Sequence, residues 1–207
     1  MDYSVYLVTD SELIGKTELS HIVEEAILGG VSMVQLREKT ASTLEFYQKG
    51  LEIKKICTKH NTPLIINDRI DIALALDADG VHIGQNDMPL SKAREILGKN
   101  KIIGVSTPNL KTAEKAQEEG ADYLGIGAIF PCNTKKDADN VTINELKKIT
   151  QKIKIPIVAI GGINTETILQ LKNTGISGVA IVSAILTSNN PKKTSENFSK
   201  KIKKIKK

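Results

Sequence analysis

Residues 116–127 read AQEEGADYLGIG, a helical run that stops at Gly120 and passes into a short β-type run beginning at Tyr123. The phrase of helix, glycine and strand recurs as EEAILGGVSMVQL at 24–36 and as LQLKNTGISGVAIV at 169–182, the repeat that one βα unit of a barrel gives. Glycine is the usual residue where a helix ends, and Gly29, Gly98, Gly120 and Gly175 stand at such stops. Working outward, strands are predicted at Val5–Thr9, Met33–Arg37, Leu64–Asn67, Gly80–Ile83, Ile102–Val105, Tyr123–Ala128, Ile157–Ile160 and Gly178–Val182. Helices are predicted between them at Leu19–Leu28, Thr43–Lys59, Leu90–Leu97, Thr112–Glu119, Ile143–Ile153 and Thr165–Asn173. Strands that alternate with helices form parallel sheets, and eight of them predict an α/β fold, a single-domain (β/α)8 TIM barrel over residues 1–207. An open doubly wound sheet is the competitor. It opens with a glycine-rich phosphate loop, whereas here the first strand runs into LVTDSELIGKT at 7–17.

Composition agrees. With no tryptophan and 3% aromatic residues in 207, the core must be Ile, Leu, Val and Ala, as buried parallel strands prefer. The net charge of +5 is concentrated in 192–207, where Phe198, Ile202 and Ile205 recur at helical spacing. Those lysines therefore read as the solvated face of a last packed helix, not as a nucleic-acid or membrane arm. Cys57 and Cys132 form no disulfide framework and no metal pairing, which suits a reducing compartment. No apolar run reaches membrane length and no basic leader precedes the first strand, so the expectation is a soluble, cytoplasmic protein with neither nucleic-acid nor membrane partners. Monomer and homodimer both remain open.

In such a barrel the chemistry sits where strands end. Strand two ends in MVQLREK at 33–39, and the two-residue period puts Gln35, Arg37 and Lys39 on one face and Val34 and Leu36 on the other. Two cations read as unpaired at a barrel mouth favour a polyanionic ligand; the alternative is a surface salt-bridge patch with Glu38. Strand three ends in LIINDR at 64–69 and strand four in DGVHIGQND at 79–87, which brings Asn67, Asp68, Arg69, Gln85, Asn86 and Asp87 to the rim. Two carboxylates, Asp68 and Asp87, beside cations suit Mg²⁺ completed by substrate phosphates, although either Asp also fits a loop-pinning turn. A glycosidase acid and base would lack the cationic wall. His82 lies before the end of its strand and reads as a hydrogen-bonded barrel histidine, while His21 and His60 fall on helices. No transition-metal spacing and no nucleophile elbow is present. Strand five offers Ser106 and Thr107 in IIGVSTPN, strand six leads into a polar loop with Thr134, Lys135 and Lys136, and strands seven and eight end in VAIGGIN and GVAIVSAI. Gly161, Gly162 and Ser183 there fit either a phosphate site or a plain tight turn.

The ordered phrases YLVTD, VQLREK, NDR, DGVHIGQND, GVST, GAIFPCNTKKDA, AIGGI and VAIVSAI, spread over nearly the whole chain, resemble the thiamine-phosphate synthase family. The resemblance implies a transferase that joins a pyrimidine diphosphate to a thiazole phosphate, or its carboxylated form, and releases pyrophosphate through a pyrimidine carbocation. It implies that Gln35, Leu36, Arg37, Glu38, Lys39 and Asn67 form the segments holding the diphosphate, with Asp68 and Asp87 binding Mg²⁺. Ser106 and Lys135 complete that clamp, and Arg37, Lys39, Ser106 and Lys135 are the implied catalytic group. Thr134, Gly162, Val182 and Ser183 would receive the thiazole phosphate. One departure is Cys132, where the family usually has threonine; a thiol is the weaker donor. Two rivals stay in view. A thiazole tautomerase on a sister barrel needs a general base and no Mg²⁺ clamp, and a silent phosphate-binding barrel would bind without releasing pyrophosphate.

Overall fold

A computed structural model describes residues 1–15, 17–131 and 140–206. Eight strands, β1 (Val5–Val8), β2 (Met33–Leu36), β3 (Leu64–Asn67), β4 (Gly80–Ile83), β5 (Ile102–Thr107), β6 (Tyr123–Ile126), β7 (Ile157–Ile160) and β8 (Gly178–Ile181), pair in sequence order, and β8 returns to β1. Every pair is parallel. The helices are α1 (Leu19–Leu28), α2 (Thr43–Lys59), α3 (Ile70–Ala75), α4 (Leu90–Leu97), α5 (Leu110–Glu118), α6 (Ile143–Lys152), α7 (Ser183–Leu186) and α8 (Pro191–Ile205). The predicted barrel is the observed one.

Strand parity sorts the interior into two cores. Val5, Leu7, Val34, Leu36, Leu64, Ile66, Val81, Ile83, Ile103 and Val105 face outward into the large aliphatic layer beneath the helices. Tyr6, Val8, Met33, Ile65, Tyr123, Val158 and Ala180 fill the lumen. Small residues make room for the large ones there. Gly104 stands beside Tyr123 across β5 and β6, and a Cβ on it would lie 2.0 Å from Tyr123 Cζ. This plug of side chains closes the lower lumen, so a ligand can enter only above it, at the C-terminal mouth.

The helices form where their ends are satisfied. Ser42 with Glu45, and Thr142 with Glu145, make capping boxes that open α2 and α6. In α8, Phe198, Ile202 and Ile205 are buried, as the basic tail's spacing predicted, and Ser195 is buried with them.

Three expectations need correction. The helix predicted at Thr165–Asn173 is a five-residue 3-10 segment, Thr167–Leu171. The Asn164 side chain accepts from the backbone N–H groups of Glu166 and Thr167, a local alternative to α-helical bonding. Two helices were not predicted: α3, six residues with no side-chain cap, and α7, four residues long. Both are too short to show a periodicity. Strand β5 also runs on through Ser106 and Thr107, paired to Gly125 and Ile126 of β6.

Candidate active site

All eight strands contribute to a cavity of about 800 Å³ at the C-terminal mouth. Its wall includes Tyr6 and Val8 from β1, Gln35 from β2, Asn67 from β3, His82 from β4, Ser106 and Thr107 from β5, Tyr123 and Gly125 from β6, Val158 and Ile160 from β7, and Ala180 from β8. Arg37, Gln85, Asn86, Gly161, Gly162, Val182 and Ser183 stand at the rim, with Asp10 beside Arg37. Polar residues occupy one side, from β2 to β5, and aliphatic ones the other, at β7 and β8. That asymmetry suits a ligand with one ionic and one flat apolar part.

Of the residues that the family resemblance implies for the ligands, seven meet at the cavity: Gln35, Arg37, Asn67, Ser106, Gly162, Val182 and Ser183. Leu36 is fully buried and faces the outer core, as its parity requires. Glu38 also turns away: its side chain, 4% exposed, is ion-paired with Lys49 and accepts from Ser11. Any ligand contact from Leu36 or Glu38 would have to come from backbone. Thr134 and Lys135, with Cys132, lie outside the described residues.

The two cations of strand two are not unpaired, which corrects the sequence reading. Arg37 Nη1 donates to Asp10 Oδ2 at 2.8 Å, and Lys39 is ion-paired with Asp68. In both cases the partner belongs to a neighbouring strand's loop, which the pattern of strand two alone does not reveal. Asp10 holds more than Arg37, since its other carboxylate oxygen accepts from the Glu12 N–H and opens the 3-10 turn Ser11–Leu13. The β1 and β2 loops are thereby tied into one unit under the guanidinium.

Asp68 and Asp87 sit just outside the cavity wall, bordering a shallower groove with Met88, Leu74 and Ile96. Burial raises the Asp68 pKa, the Lys39 ammonium opposes that shift, and the neighbouring Asp87 carboxylate adds to it. Asp68 has a φ of 60°, a left-handed conformation uncommon for a non-glycine residue. It is pinned there because its N–H donates to His82 O while the next N–H, of Arg69, donates to Asn67 O. Asp87 is fixed by accepting from the Gly84 N–H at 2.6 Å. Two hard oxygen donors are thus held together beside an ammonium, a donor set that fits Mg²⁺. Among the described residues no group of three or more His, Cys, Asp or Glu gathers in a manner suited to a metal; Mg²⁺ is commonly held by one or two carboxylates completed by substrate phosphates and water.

Gly162 has a φ of 61°, and a Cβ on it would lie 2.6 Å from Pro131 O. Glycine is needed there for close packing against the β6 loop, whatever binds above it. His82 is hydrogen-bonded, as expected of it, to Tyr123 and Ser106. His60 pairs with Glu24, away from the cavity. Among the described helices none is long and apolar enough to cross a membrane.

Sequence reasoning missed Asp10, Tyr6 and Tyr123. For the two tyrosines the signal was parity, an aromatic residue on the lumen side of a strand whose other face is aliphatic; Asp10 carried none. Thr107 was seen as a rim hydroxyl; it lines the cavity at 2% exposure, and among the described residues its Oγ1 has no hydrogen-bond partner.

Comparison with known proteins agrees with this geometry. The family model for thiamine monophosphate synthase matches residues 5–185. The thiamine-phosphate synthase of Methanobrevibacter smithii is 54% identical over 203 residues, 98% of this chain and 97% of that protein. That of Clostridium acetobutylicum is 55% identical over 188 residues, 91% and 89% of the two chains. Among solved structures, thiamine phosphate pyrophosphorylase from Pyrococcus furiosus superposes with a TM-score of 0.90 at 37% identity, covering 98% of this chain and 96% of that one. With more than half of the residues identical to the two named synthases over nearly the full length of each, and with the same closed barrel, the chain belongs to the thiamine monophosphate synthase family, transferases of thiamine biosynthesis.

Proposed function

We propose that the protein condenses a pyrimidine diphosphate with a thiazole phosphate, giving thiamine monophosphate and pyrophosphate in a Mg²⁺-dependent reaction, with the carboxyl group leaving as carbon dioxide where the carboxylated thiazole phosphate is the substrate. The observation that carries this reading is the convergence of Arg37, Asn67 and Ser106 on one side of the cavity with the Asp68–Asp87 pair at its edge. In this reading the diphosphate lies along β2 and β3, against Gln35, Arg37, Lys39 and Asn67, with Ser106 and Lys135 closing around it. Asp68 and Asp87 would hold Mg²⁺, which when bound supplies positive charge to the departing oxygens. The carbon–oxygen bond to the diphosphate breaks, the electron pair leaves with pyrophosphate, and the pyrimidine methylene becomes a carbocation. The thiazole nitrogen then donates its lone pair to that carbon.

Arg37, fixed by Asp10, and Lys39, fixed by Asp68, are charges already oriented before the substrate arrives. Such preorganised groups do not have to reorient as charge develops. The aliphatic wall at Val158, Ile160 and Ala180 excludes water from the cation, whose capture by water would waste the substrate. The thiazole phosphate is placed at Gly162, Val182 and Ser183, with Thr134 from the β6 loop. The reading is tested by Asp68→Ala, which should lower turnover by about a hundredfold or more at saturating Mg²⁺. Near wild-type turnover of that variant would refute the metal assignment.

A further inference from the structure

A continuous chain of hydrogen bonds crosses the lumen beneath the cavity. Gln35 Nε2 donates to the Tyr6 hydroxyl at 2.8 Å, and that hydroxyl lies 2.8 Å from the hydroxyl of Tyr123. Tyr123 Oη is 2.9 Å from His82 Nδ1, and His82 Nε2 is 2.9 Å from Ser106 Oγ. Each residue comes from a different strand: β2, β1, β6, β4 and β5 in turn. The chain therefore joins two of the groups placed on the substrate, Gln35 and Ser106, through three that have no part in the reaction described above.

Its direction follows from proton counting. Tyr6 and Tyr123 are buried, and burial raises both phenol pKa values above the ordinary tyrosine range, so each hydroxyl keeps its single proton. Gln35 Nε2 is a donor only, so Tyr6 accepts from it and passes its own proton toward Tyr123. Tyr123 then donates to His82 Nδ1, which must be bare. The imidazole proton sits on Nε2 and points to Ser106 Oγ. Ser106, having accepted there, turns its hydroxyl proton to the cavity. A doubly protonated His82 does not fit this pattern, because Tyr123 would have to donate to Tyr6, whose own proton would then have no acceptor in the chain.

We propose that Tyr6, Tyr123 and His82 are positioning residues that act through Ser106: the one-way chain makes the Ser106 hydroxyl a preset hydrogen-bond donor to an acceptor atom of the pyrimidine diphosphate. The direction matters chemically. Run the other way, Ser106 would donate to His82 and present only lone pairs to an anionic ligand, repelling the group it is placed to hold. The proposal rests on Ser106 contacting the substrate, as in the functional reading above.

Two measurements test it. In the ligand-free protein labelled with nitrogen-15 histidine, long-range proton–nitrogen correlation reports which ring nitrogen carries the proton, and His82→Gln identifies the His82 signals. The expected state is Nε2–H with a bare Nδ1; the Nδ1–H tautomer or an imidazolium overturns the proposal. No substrate is involved, so this result stands or falls independently of the reaction. The second measurement is a double-mutant cycle on kcat. Tyr123→Phe and Ser106→Ala should each lower kcat by about tenfold or more, and the double variant should be no slower than Ser106→Ala alone. Losses that multiply would mean that Tyr123 does not act through Ser106. If the wild-type protein forms no product, the functional reading fails, and the tautomer still decides the chain.

Discussion

At the scale of the residue, pairing decides what each rim group can do. Arg37 is held by Asp10, and a guanidinium released from its carboxylate gains conformers that point away from the cavity. Asp10→Ala should therefore lower kcat/KM for the pyrimidine diphosphate by about tenfold, as steady-state kinetics would report; an unchanged value would mean that Arg37 orients itself. Cys57 is the opposite case, a residue isolated from chemistry. Burial pushes its thiol pKa up to about 12, with Asp79 adding to the shift and Lys54 opposing it. The thiolate is the reactive form, so at mildly alkaline pH Cys57 should resist alkylation in the native protein and react once urea unfolds it, as peptide mass mapping would record. Rapid native labelling at Cys57 would contradict its burial. The strand-end residues of the site were legible in the sequence because barrel chemistry gathers at strand ends and parity tells which side chains point inward. Asp10 as a partner of Arg37, and the lumen tyrosines, were not. Their roles depend on neighbours that are distant in sequence, such as Tyr6 beside Tyr123, and become contacts only when the barrel closes.

At the scale of the element, small and large residues are matched across strands, and the match is strict where the lumen is full. Gly104→Ala would bring a methyl carbon against the Tyr123 ring. The ring is fully buried and hydrogen-bonded, so it cannot move aside cheaply. The expected cost is about 1 to 3 kcal/mol, visible as a lower urea midpoint at unchanged slope; an unaltered midpoint would mean that the lumen is more loosely packed than the contact distances imply. The long helices were readable from periodicity and caps, α1, α2 and α4 to the residue. What failed were the short connections. The segment after β7 carries side chains that bond to their own backbone, and α3 and α7 span too few residues to show a helical period.

At the scale of the molecule, the closed barrel puts the polar ends of β2 to β5 around one cavity with two carboxylates just outside its wall, and leaves most of the excess lysine on α8 as solvated surface. The alternation of strands and helices was enough to derive that closure, since eight parallel strands joined by helices satisfy every edge. It was not enough to derive how the cations are paired, which is a property of adjacent loops. The proposed reaction draws on the whole assembly, and pyrophosphate release from the purified protein given the pyrimidine diphosphate and the thiazole phosphate, with and without Mg²⁺, tests it. Pyrophosphate appearing in step with thiamine monophosphate, and only when all three are present, is the predicted result. Thiazole phosphate that is bound or isomerised while no pyrophosphate forms, with or without Mg²⁺, would contradict the account.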